Sequence, residues 1–475
     1  MMCKSMRLCW ATLLLLAFAA QAEVKVPAIF SSHMVLQADQ ECPVWGWADA
    51  GEDVTVEFAG QKLAAKPDGS GKWMARLAAM KANANGQVLT IRGKNTITLE
   101  DVLVGEVWLC SGQSNMEFTV RQSDNSKDEL ASANHPRIRH IKLQHRPSDK
   151  PMTDVPSTGW EVCTPTTVGN FTAAGYFFGR QIMKDLDVPI GLIGSNWGGT
   201  RIEPWTPPEG FKQVPALKDI TDKLDTFPAK APDKKDATKM VINHQSPLAL
   251  YNGMIFPLVP YTIRGALWYQ GESNNGEGML YFEKMKALIG GWREVWKKPD
   301  LPFYYVQIAP YTYKSPEKLP GLWESQQAAL SIPNTGMANT MDIGNVKNIH
   351  PTNKQEVGRR LALWALAKTY GKPQAVLCGP LYKSCKIDGN KVRISFDFVG
   401  GGLTSRDGKP LTFFTIAGED KNFVEAKAEI EGETVVVSSD KVAKPVAVRF
   451  GWTEIAEPNL ANKEGLPASP FRTEK

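Results

Sequence analysis

Hydrophobic and polar positions follow a two-residue period in the first part of the chain. Residues 23–100 contain short apolar runs separated by turn signals, and Val54, Val56 and Phe58 alternate with polar residues. Such alternation is typical of strands that bury one face. We therefore predict an antiparallel β-sandwich domain over residues 23–100.

From residue 101 to 372 strand patterns alternate with helix patterns. The run 102–110 predicts a buried strand, and further strands are predicted at 189–194, 263–269, 303–308 and 336–343. Apolar residues at helical spacing predict helices at 172–186 and 279–296 and a capped helix from 352 to 371. This alternation predicts a parallel sheet.

Two stretches leave the arrangement open. Residues 207–246 are rich in lysine and proline, and we predict either an insertion over the functional site or a solvated excursion. Residues 373–475 return to strand patterns, which are consistent with either a third domain or a return to the N-terminal sandwich.

The first 22 residues have the three parts of a secretory signal peptide. Lys4 and Arg7 precede an apolar stretch at 9–19 that is too short to span a membrane, and Ala20-Gln21-Ala22 is an A-x-A cleavage site. We predict cleavage after Ala22 and a secreted or periplasmic protein. No later segment is apolar enough to cross a membrane, and a net charge of +5 without clusters gives no support for nucleic-acid binding.

Five cysteines follow the predicted cleavage site, so a fully paired set within one chain is excluded. Cys110 lies in the predicted central strand and is expected to be a buried free thiol. Cys378 and Cys385 are close enough in the chain to pair across a turn, although nothing in the sequence requires it.

Ser114 is a candidate nucleophile because it lies just past the end of the 102–110 strand. Open α/β sheets bind ligands at that edge, although an ordinary turn would produce the same pattern. A serine nucleophile needs an adjacent base, and histidine suits the role because its pKa is near neutrality. Of the six histidines, His350 alone lies in a loop between a late strand and a capped helix.

Three motifs resemble one known family. Gly112-Gln-Ser-Asn-Met116, Trp268-Tyr-Gln-Gly-Glu-Ser-Asn274 and Ile349-His-Pro351 resemble, in order, blocks of SGNH-type carbohydrate esterases, in the branch of sialate O-acetylesterases and related acetylxylan esterases. The resemblance implies an α/β fold, with a parallel sheet that carries helices on both faces and is flanked by β-sandwich domains. It also implies a serine esterase with Ser114 as nucleophile and His350 as base, which needs no cofactor or metal.

The acid that would orient His350 is not fixed by the resemblance. The family usually has an aspartate three residues before the histidine, where this chain has Lys347. Asp342 is the candidate and Glu272 the alternative. A Ser–His pair oriented by a backbone carbonyl is a third possibility.

The resemblance also implies donors for the oxyanion of the tetrahedral intermediate. These would be the Ser114 N–H, Gly199 or its neighbour Gly198, and the Gln270 amide, with Asn274 as alternative because the third motif departs from the usual pattern by one place.

The expected substrate is an O-acetylated sialic acid. Arg201 would hold its carboxylate, because an arginine forms two parallel hydrogen bonds to a carboxylate. Further candidates for binding the sugar are Glu272 and one or two of the aromatics Trp197, Trp205, Trp268 and Tyr269. Other functions that the sequence allows are an acetylxylan esterase and a non-catalytic carbohydrate-binding protein. The oligomeric state is not predicted.

Overall fold

Seven strands form the N-terminal part of the fold, and the last of them continues into the central sheet. A computed structural model describes residues 23–373 and 376–474, so the predicted signal peptide lies outside the described residues. The strands are β1 (Val35–Gln37), β2 (Cys42–Trp47), β3 (Val54–Phe58), β4 (Gln61–Ala65), β5 (Lys72–Leu77), β6 (Asn83–Arg92) and β7 (Thr96–Gly112).

Apart from β1, which pairs in parallel with β7, the N-terminal strands form two antiparallel groups. Strand β2 pairs with β5, while β3 pairs with β4 and β6, and β6 pairs with the first half of β7. Val54, Val56 and Phe58 are buried, as their alternation predicts. Because β7 is continuous from Thr96 to Gly112, it runs through the predicted boundary at residues 100 and 101.

The second half of β7 lies in the middle of the parallel sheet. The other strands of this part are β8 (His135–Leu143), β9 (Ser157–Cys163), β10 (Ile190–Asn196), β11 (Lys230–Pro232), β12 (Met240–Ile242), β13 (Gly265–Tyr269), β14 (Phe303–Val306) and β15 (Thr335–Ala338). The sheet order is β15-β14-β13-β7-β10-β8-β9, and only the edge strand β9 is antiparallel to its neighbour.

Helices cover both faces of this sheet. The α-helices are α1 (Ser114–Glu117), α2 (Ser126–Ser132), α3 (Ala173–Leu186), α4 (Pro208–Lys212), α5 (Lys218–Thr221), α6 (Leu280–Val295), α7 (Lys318–Ala328) and α8 (Lys354–Trp364). Short 3-10 or π turns make up the remaining helical segments, such as Tyr251–Ile255 and Ala365–Thr369. No helix among residues 23–373 and 376–474 is long and apolar enough to span a membrane.

Two tryptophans show that α3 and α6 pack on opposite faces. Trp108 is the register partner of Gly265, so both residues point to the same face, whereas Trp268 lies three residues further and points to the other. Trp108 packs on Phe178 of α3 with ring centroids 4.9 Å apart, and Trp268 packs on Trp292 of α6 at 5.9 Å. The predicted α/β fold is thus confirmed.

The 207–246 insertion has structure of its own. Helices α4 and α5 lie in it, and Phe211, Val214 and Leu217 form a small apolar cluster with Leu248 and with Ala287 of α6. Strands β11 and β12 pair as an antiparallel hairpin.

The C-terminal part has an apolar core that is separate from the core shared by the N-terminal strands and the parallel sheet. Its strands are β16 (Leu381–Asp388), β17 (Lys391–Asp397), β18 (Leu403–Ser405), β19 (Phe414–Ala417), β20 (Val424–Glu425), β21 (Lys427–Glu431), β22 (Thr434–Ser438), β23 (Ala447–Phe450), β24 (Leu460–Asn462) and β25 (Phe471–Arg472). They form two four-stranded sheets and one two-stranded sheet.

All five cysteines of the described residues are free thiols. Cys110 is buried in β7, and burial raises the pKa of its thiol. Cys378 is buried while Cys385 is exposed, so the possible pair between them does not form.

Candidate active site

Ser114 lies at the point where the order of the parallel strands reverses. After β7 the chain builds β8 and β10 on one side of it, and then β13, β14 and β15 on the other. Such a reversal leaves a crevice at the carboxyl end of the central strand, where ligands of open α/β sheets bind. Ser114 is the first residue of α1, directly beyond this end of β7.

Glycine is required at the end of β7. Gly112 has φ of +134°, and a Cβ there would lie 2.2 Å from the carbonyl oxygen of Tyr269 on the neighbouring strand. The lack of a side chain therefore allows β7 to approach β13 and then turn, which places Ser114 above the sheet.

The structure brings Ser114 and His350 together. The Ser114 Oγ and His350 Nε2 atoms lie 2.9 Å apart, although the residues are 236 positions apart in the chain. The His350 N–H donates to the side-chain oxygen of Asn348, which fixes the loop before α8. Burial, followed by the charge of Lys354, lowers the pKa of His350 below 6.5, so its imidazole is neutral at neutral pH.

Asp342 does not orient His350. Both of its carboxylate oxygens accept hydrogen bonds from the Arg360 guanidinium of α8, at 2.6 and 2.8 Å. The side chains of Asp342 and Arg360 are only 6% and 4% exposed, so each neutralises a charge that would otherwise be buried alone. No hydrogen bond joins Asp342 to His350 within the described residues, and the predicted orienting role of Asp342 is therefore not supported by the geometry.

Glu272, the alternative acid, also contacts a different residue. Its Oε1 accepts a hydrogen bond from Asn115 Nδ2 at 2.6 Å, and Asn115 Nδ2 also donates to the carbonyl of Ile349 at 3.0 Å. Burial raises the pKa of Glu272 even though the Asn115 hydrogen bond and the Lys354 charge favour its ionised form. Glu272 is thus linked through Asn115 to Ile349, the residue that precedes His350.

Lys354 completes this buried network, and the sequence analysis did not identify it. Its Nζ donates to Asn115 Oδ1 at 2.6 Å and lies 4.8 and 4.7 Å from the ring centroids of Phe118 and Tyr269. Burial lowers the pKa of Lys354 to about 7, against the opposing effect of Glu272. Its position four residues after His350, in the first turn of a predicted helix, is the signal that could have identified it.

Two backbone N–H groups are available at the nucleophile. The N–H groups of Ser114 and Gly199 have no hydrogen-bond partner in the part of the chain that the structure describes. The N–H of Gly198 donates to Glu117 Oε2 at 2.7 Å, so of the two neighbouring glycines only Gly199 has an uncommitted donor.

The side-chain amides of the third motif are not available as oxyanion donors. Gln270 Nε2 is buried and lies within hydrogen-bond distance of three acceptors, on Gln113, Thr200 and Asn274. Asn274 Nδ2 donates to Glu203 and Glu277. An amide nitrogen has two hydrogens, so neither group has one left for a substrate oxygen. The predicted oxyanion role of Gln270, and of its alternative Asn274, is therefore not supported.

A charged cluster beside the nucleophile was also missed by the sequence analysis. Glu117 accepts hydrogen bonds from the Gly198 N–H and Lys142 Nζ, and His145 Nε2 lies 3.0 Å from it. Burial of the Glu117 carboxylate opposes its ionisation, but these three partners outweigh burial and lower its pKa to about 2. The cluster holds the Gly198 turn against α1.

Only one of the four candidate aromatics is partly exposed. Trp205, Trp268 and Tyr269 are fully buried, and Trp268 packs between neighbouring rings in the core, so the predicted sugar contact of Trp268 is wrong. Trp197 is half-buried, and its ring stacks with those of His145 and His244 at centroid distances of 4.2 and 4.7 Å.

Arg201 has its guanidinium occupied by protein groups. It forms ion pairs with Glu203 and Glu277, and it donates to the carbonyl of Ser273. Lys284 also contacts both glutamates, and these cations, despite burial, lower the pKa of Glu203 to about 2. Arg201 therefore stabilises a buried charge network, and the prediction that it holds a substrate carboxylate is not supported.

A family model and a solved structure match the chain. The family model described as carbohydrate esterase, sialic acid-specific acetylesterase, matches residues 104–367. A carbohydrate acetylesterase of Xanthomonas citri has a structure similar to this one, with a TM-score of 0.87 and 37% identity, over 95% of this chain and 100% of that chain.

Mammalian relatives cover most of the chain. The sialate O-acetylesterase of Rattus norvegicus is 32% identical over 75% of this chain and 75% of its own length. The sialate O-acetylesterase of Homo sapiens is 30% identical over 93% of this chain and 91% of its own length.

These similarities define the class of the protein as the carbohydrate esterases, which are carboxylic ester hydrolases that act on acetylated sugars. The chain belongs to the family of sialic acid-specific acetylesterases. It is therefore an enzyme rather than a non-catalytic carbohydrate-binding protein.

Proposed function

We propose that the protein is a sialate O-acetylesterase that uses Ser114 as nucleophile and His350 as general base and acid. The observation that carries this proposal is the 2.9 Å contact between Ser114 Oγ and His350 Nε2 at the carboxyl end of the central strand. A serine hydroxyl needs such a base to become nucleophilic at neutral pH.

The reaction has two steps. Ser114 Oγ attacks the acetyl carbonyl while His350 Nε2 takes its proton, and the imidazolium then gives this proton to the departing sugar oxygen. Water, deprotonated by His350, attacks the acetyl-serine ester, and acetate leaves as Ser114 recovers its proton. The lowered pKa of His350 supports this role, because it keeps the imidazole in the proton-accepting form.

Negative charge develops on the carbonyl oxygen in both steps. The uncommitted N–H groups of Ser114 and Gly199 are the donors that we assign to it. Each such preorganised donor contributes about 3 kcal/mol in other hydrolases. In this proposal the buried Asn115 network positions the loop that carries His350, because it holds the Ile349 carbonyl directly before that residue.

The sialic acid part of the proposal is supported by the names of the mammalian relatives and of the family model. We also propose that the protein is exported after cleavage behind Ala22, on the strength of the signal-peptide pattern in its sequence.

Replacement of the nucleophile tests the mechanism. Ser114→Ala should lower the rate of acetate release from 9-O-acetyl sialic acid by about 10⁴-fold or more, by analogy with serine-triad enzymes. The matched control is Ser111→Ala, because the Ser111 hydroxyl is buried three residues earlier and has no hydrogen-bond partner among the described residues. Near-wild-type turnover of Ser114→Ala, or an equal loss in the control, would refute the assignment.

A further inference from the structure

A cavity of about 700 Å³ lies beside the proposed nucleophile. One wall consists of Trp197 and Gly198, in the loop that follows β10. The other wall is the β11–β12 hairpin of the insertion, including Asp233, Lys234 and Lys235 at its turn. The volume is in the range of about 300 to 1,000 Å³ that is common for small-ligand sites.

Gly198 lies between the cavity and the nucleophile. A Cβ on this residue would lie 3.3 Å from Ser114 Cβ and 3.4 Å from Glu117 Oε2. The cavity wall is thus in van der Waals reach of the residue that attacks the ester. The proposed subsite therefore requires a sugar that extends past Gly198 to bring its acetyl group to Ser114.

The insertion packs against the loop that follows β10. The His244 ring, directly after the hairpin, stacks on Trp197. The side chain of Gln245 accepts from the Arg201 N–H at 3.1 Å and donates to the Gly199 carbonyl at 2.9 Å. The hairpin therefore forms a wall with a defined position.

The turn of the hairpin carries a net positive charge, with three lysines and two aspartates between residues 233 and 239. Lys234 and Lys235 are exposed, and neither forms an ion pair with any described residue, whereas Lys239 of the same hairpin pairs with Asp236. The Asp233 carboxylate, which also lines the cavity, accepts the N–H groups of Lys235 and Asp236. Arg201, by contrast, is neutralised by two glutamates.

We propose that this cavity is the subsite for an acidic sugar and that Lys234 and Lys235 bind its carboxylate. The proposal rests on the esterase function assigned to Ser114. Lysine suits the position, because its ammonium is a point charge on a flexible stem and does not require the fixed geometry of an arginine fork. Burial, followed by the charges of Lys234 and His145, lowers the pKa of His244, which is consistent with Lys234 facing the cavity.

The double variant Lys234→Gln/Lys235→Gln tests the proposal. KM for 9-O-acetyl sialic acid should rise about tenfold or more, the loss expected from one charge-assisted hydrogen bond. KM for the methyl ester of the same sugar, and the hydrolysis of 4-nitrophenyl acetate, should stay unchanged because these esters carry no carboxylate. Lys239→Gln is the matched control and should behave as wild type on all three. An unchanged KM for the acidic sugar, or equal losses on the acidic and neutral esters, would overturn the proposal.

A second measurement separates this proposal from the proposed substrate. Wild-type protein could hydrolyse 4-nitrophenyl acetate through Ser114 but leave the acetylated sialic acid intact, in which case the sialic acid assignment fails. Inhibition of 4-nitrophenyl acetate hydrolysis by free glucuronate then tests the cavity. Inhibition that is lost in the double variant supports the subsite, while the same inhibition in both proteins, or none in wild type, overturns it.

Discussion

Lys354→Met should change how the stability of the protein depends on pH. Lys354 is buried with its ammonium beneath the Ser–His pair, and burial lowers its pKa from 10.5 to about 7. The unfolded chain retains the ordinary value. Between pH 7 and 10.5 the unfolded chain therefore binds more protons than the folded one. The contribution of Lys354 to the free energy of unfolding must then become more favourable as the pH rises through this window.

The magnitude follows from the size of the shift. A fall from 10.5 to about 7 corresponds to about 5 kcal/mol of destabilisation that is fully present below pH 7 and absent above pH 10.5. The Met variant removes this effect but leaves Asn115 Oδ1 buried without its donor, at about 1 to 3 kcal/mol. It also loses the cation–π contacts with Phe118 and Tyr269, of about 1 to 2 kcal/mol.

These effects oppose each other, so the prediction concerns how the difference in stability changes with pH rather than its sign at one pH. The free energy of unfolding of wild type minus that of Lys354→Met should rise by about 3 kcal/mol between pH 6 and 9.5. Urea unfolding of both proteins, followed by tryptophan fluorescence, measures this difference. Titrating groups other than Glu272 and His350, whose pKa values depend on the Lys354 charge, contribute equally in both proteins and cancel to first order.

An exposed lysine provides the control. Lys218 pairs with Asp222 on the surface of the insertion, and Lys218→Met should give a difference that does not vary with pH. If the difference for Lys354→Met is equally flat from pH 6 to 9.5, the lysine is not buried as a group with a strongly lowered pKa. The account of the network beneath the active site would then be wrong.

Four further outcomes are expected. Asp342→Asn should lower the free energy of unfolding by about 3 kcal/mol or more, because it breaks the buried pair with Arg360. It should leave kcat within tenfold of wild type. A loss of kcat near 10⁴-fold at unchanged stability would instead support an orienting role for Asp342. Arg201→Ala should raise KM by the same factor for acidic and neutral acetyl esters, and a selective effect on the acidic ester would show that it binds the carboxylate. The acidic limb of kcat/KM should lie below pH 6.5, because burial lowers the pKa of His350, and a limb above pH 6.5 would contradict this. N-terminal sequencing of exported protein from the native host should begin at Glu23, whereas intact Met1 would refute export by this signal.

The hydrophobic pattern predicted the elements that position the site. The 102–110 run lies within β7, and the helices predicted at 172–186 and 279–296 are observed at Ala173–Leu186 and Leu280–Val295. Long buried elements have a clear period and a defined end, so their limits are visible in one sequence. The length of β7 was not predicted, because its first half alternates like the sandwich strands and its second half is apolar throughout.

The pairing of Ser114 and His350 was predicted, but the partners of the charged residues were not. Asp342, Arg201 and Glu272 all lie at or after strand ends, where ligands of α/β sheets bind, and a function was predicted for each. The strand ends are also where the chain buries polar groups, and a buried charge needs a partner in contact with it. Asp342 has Arg360 from α8, and a pattern within a few residues gives no indication of that contact.

Ion pairing within the protein decides which cations are free to bind a substrate carboxylate. A guanidinium that already contacts Glu203 and Glu277 has no unpaired charge for a carboxylate, however close it lies to the nucleophile. Lysines without an ion pair lie instead at the turn of the β11–β12 hairpin, where Lys234 and Lys235 contact no carboxylate among the described residues. The sequence of the insertion has little hydrophobic periodicity, so its secondary structure was not predicted. That weakness has a physical reason, since a short hairpin that lines a cavity buries few apolar side chains and keeps its polar groups for a ligand.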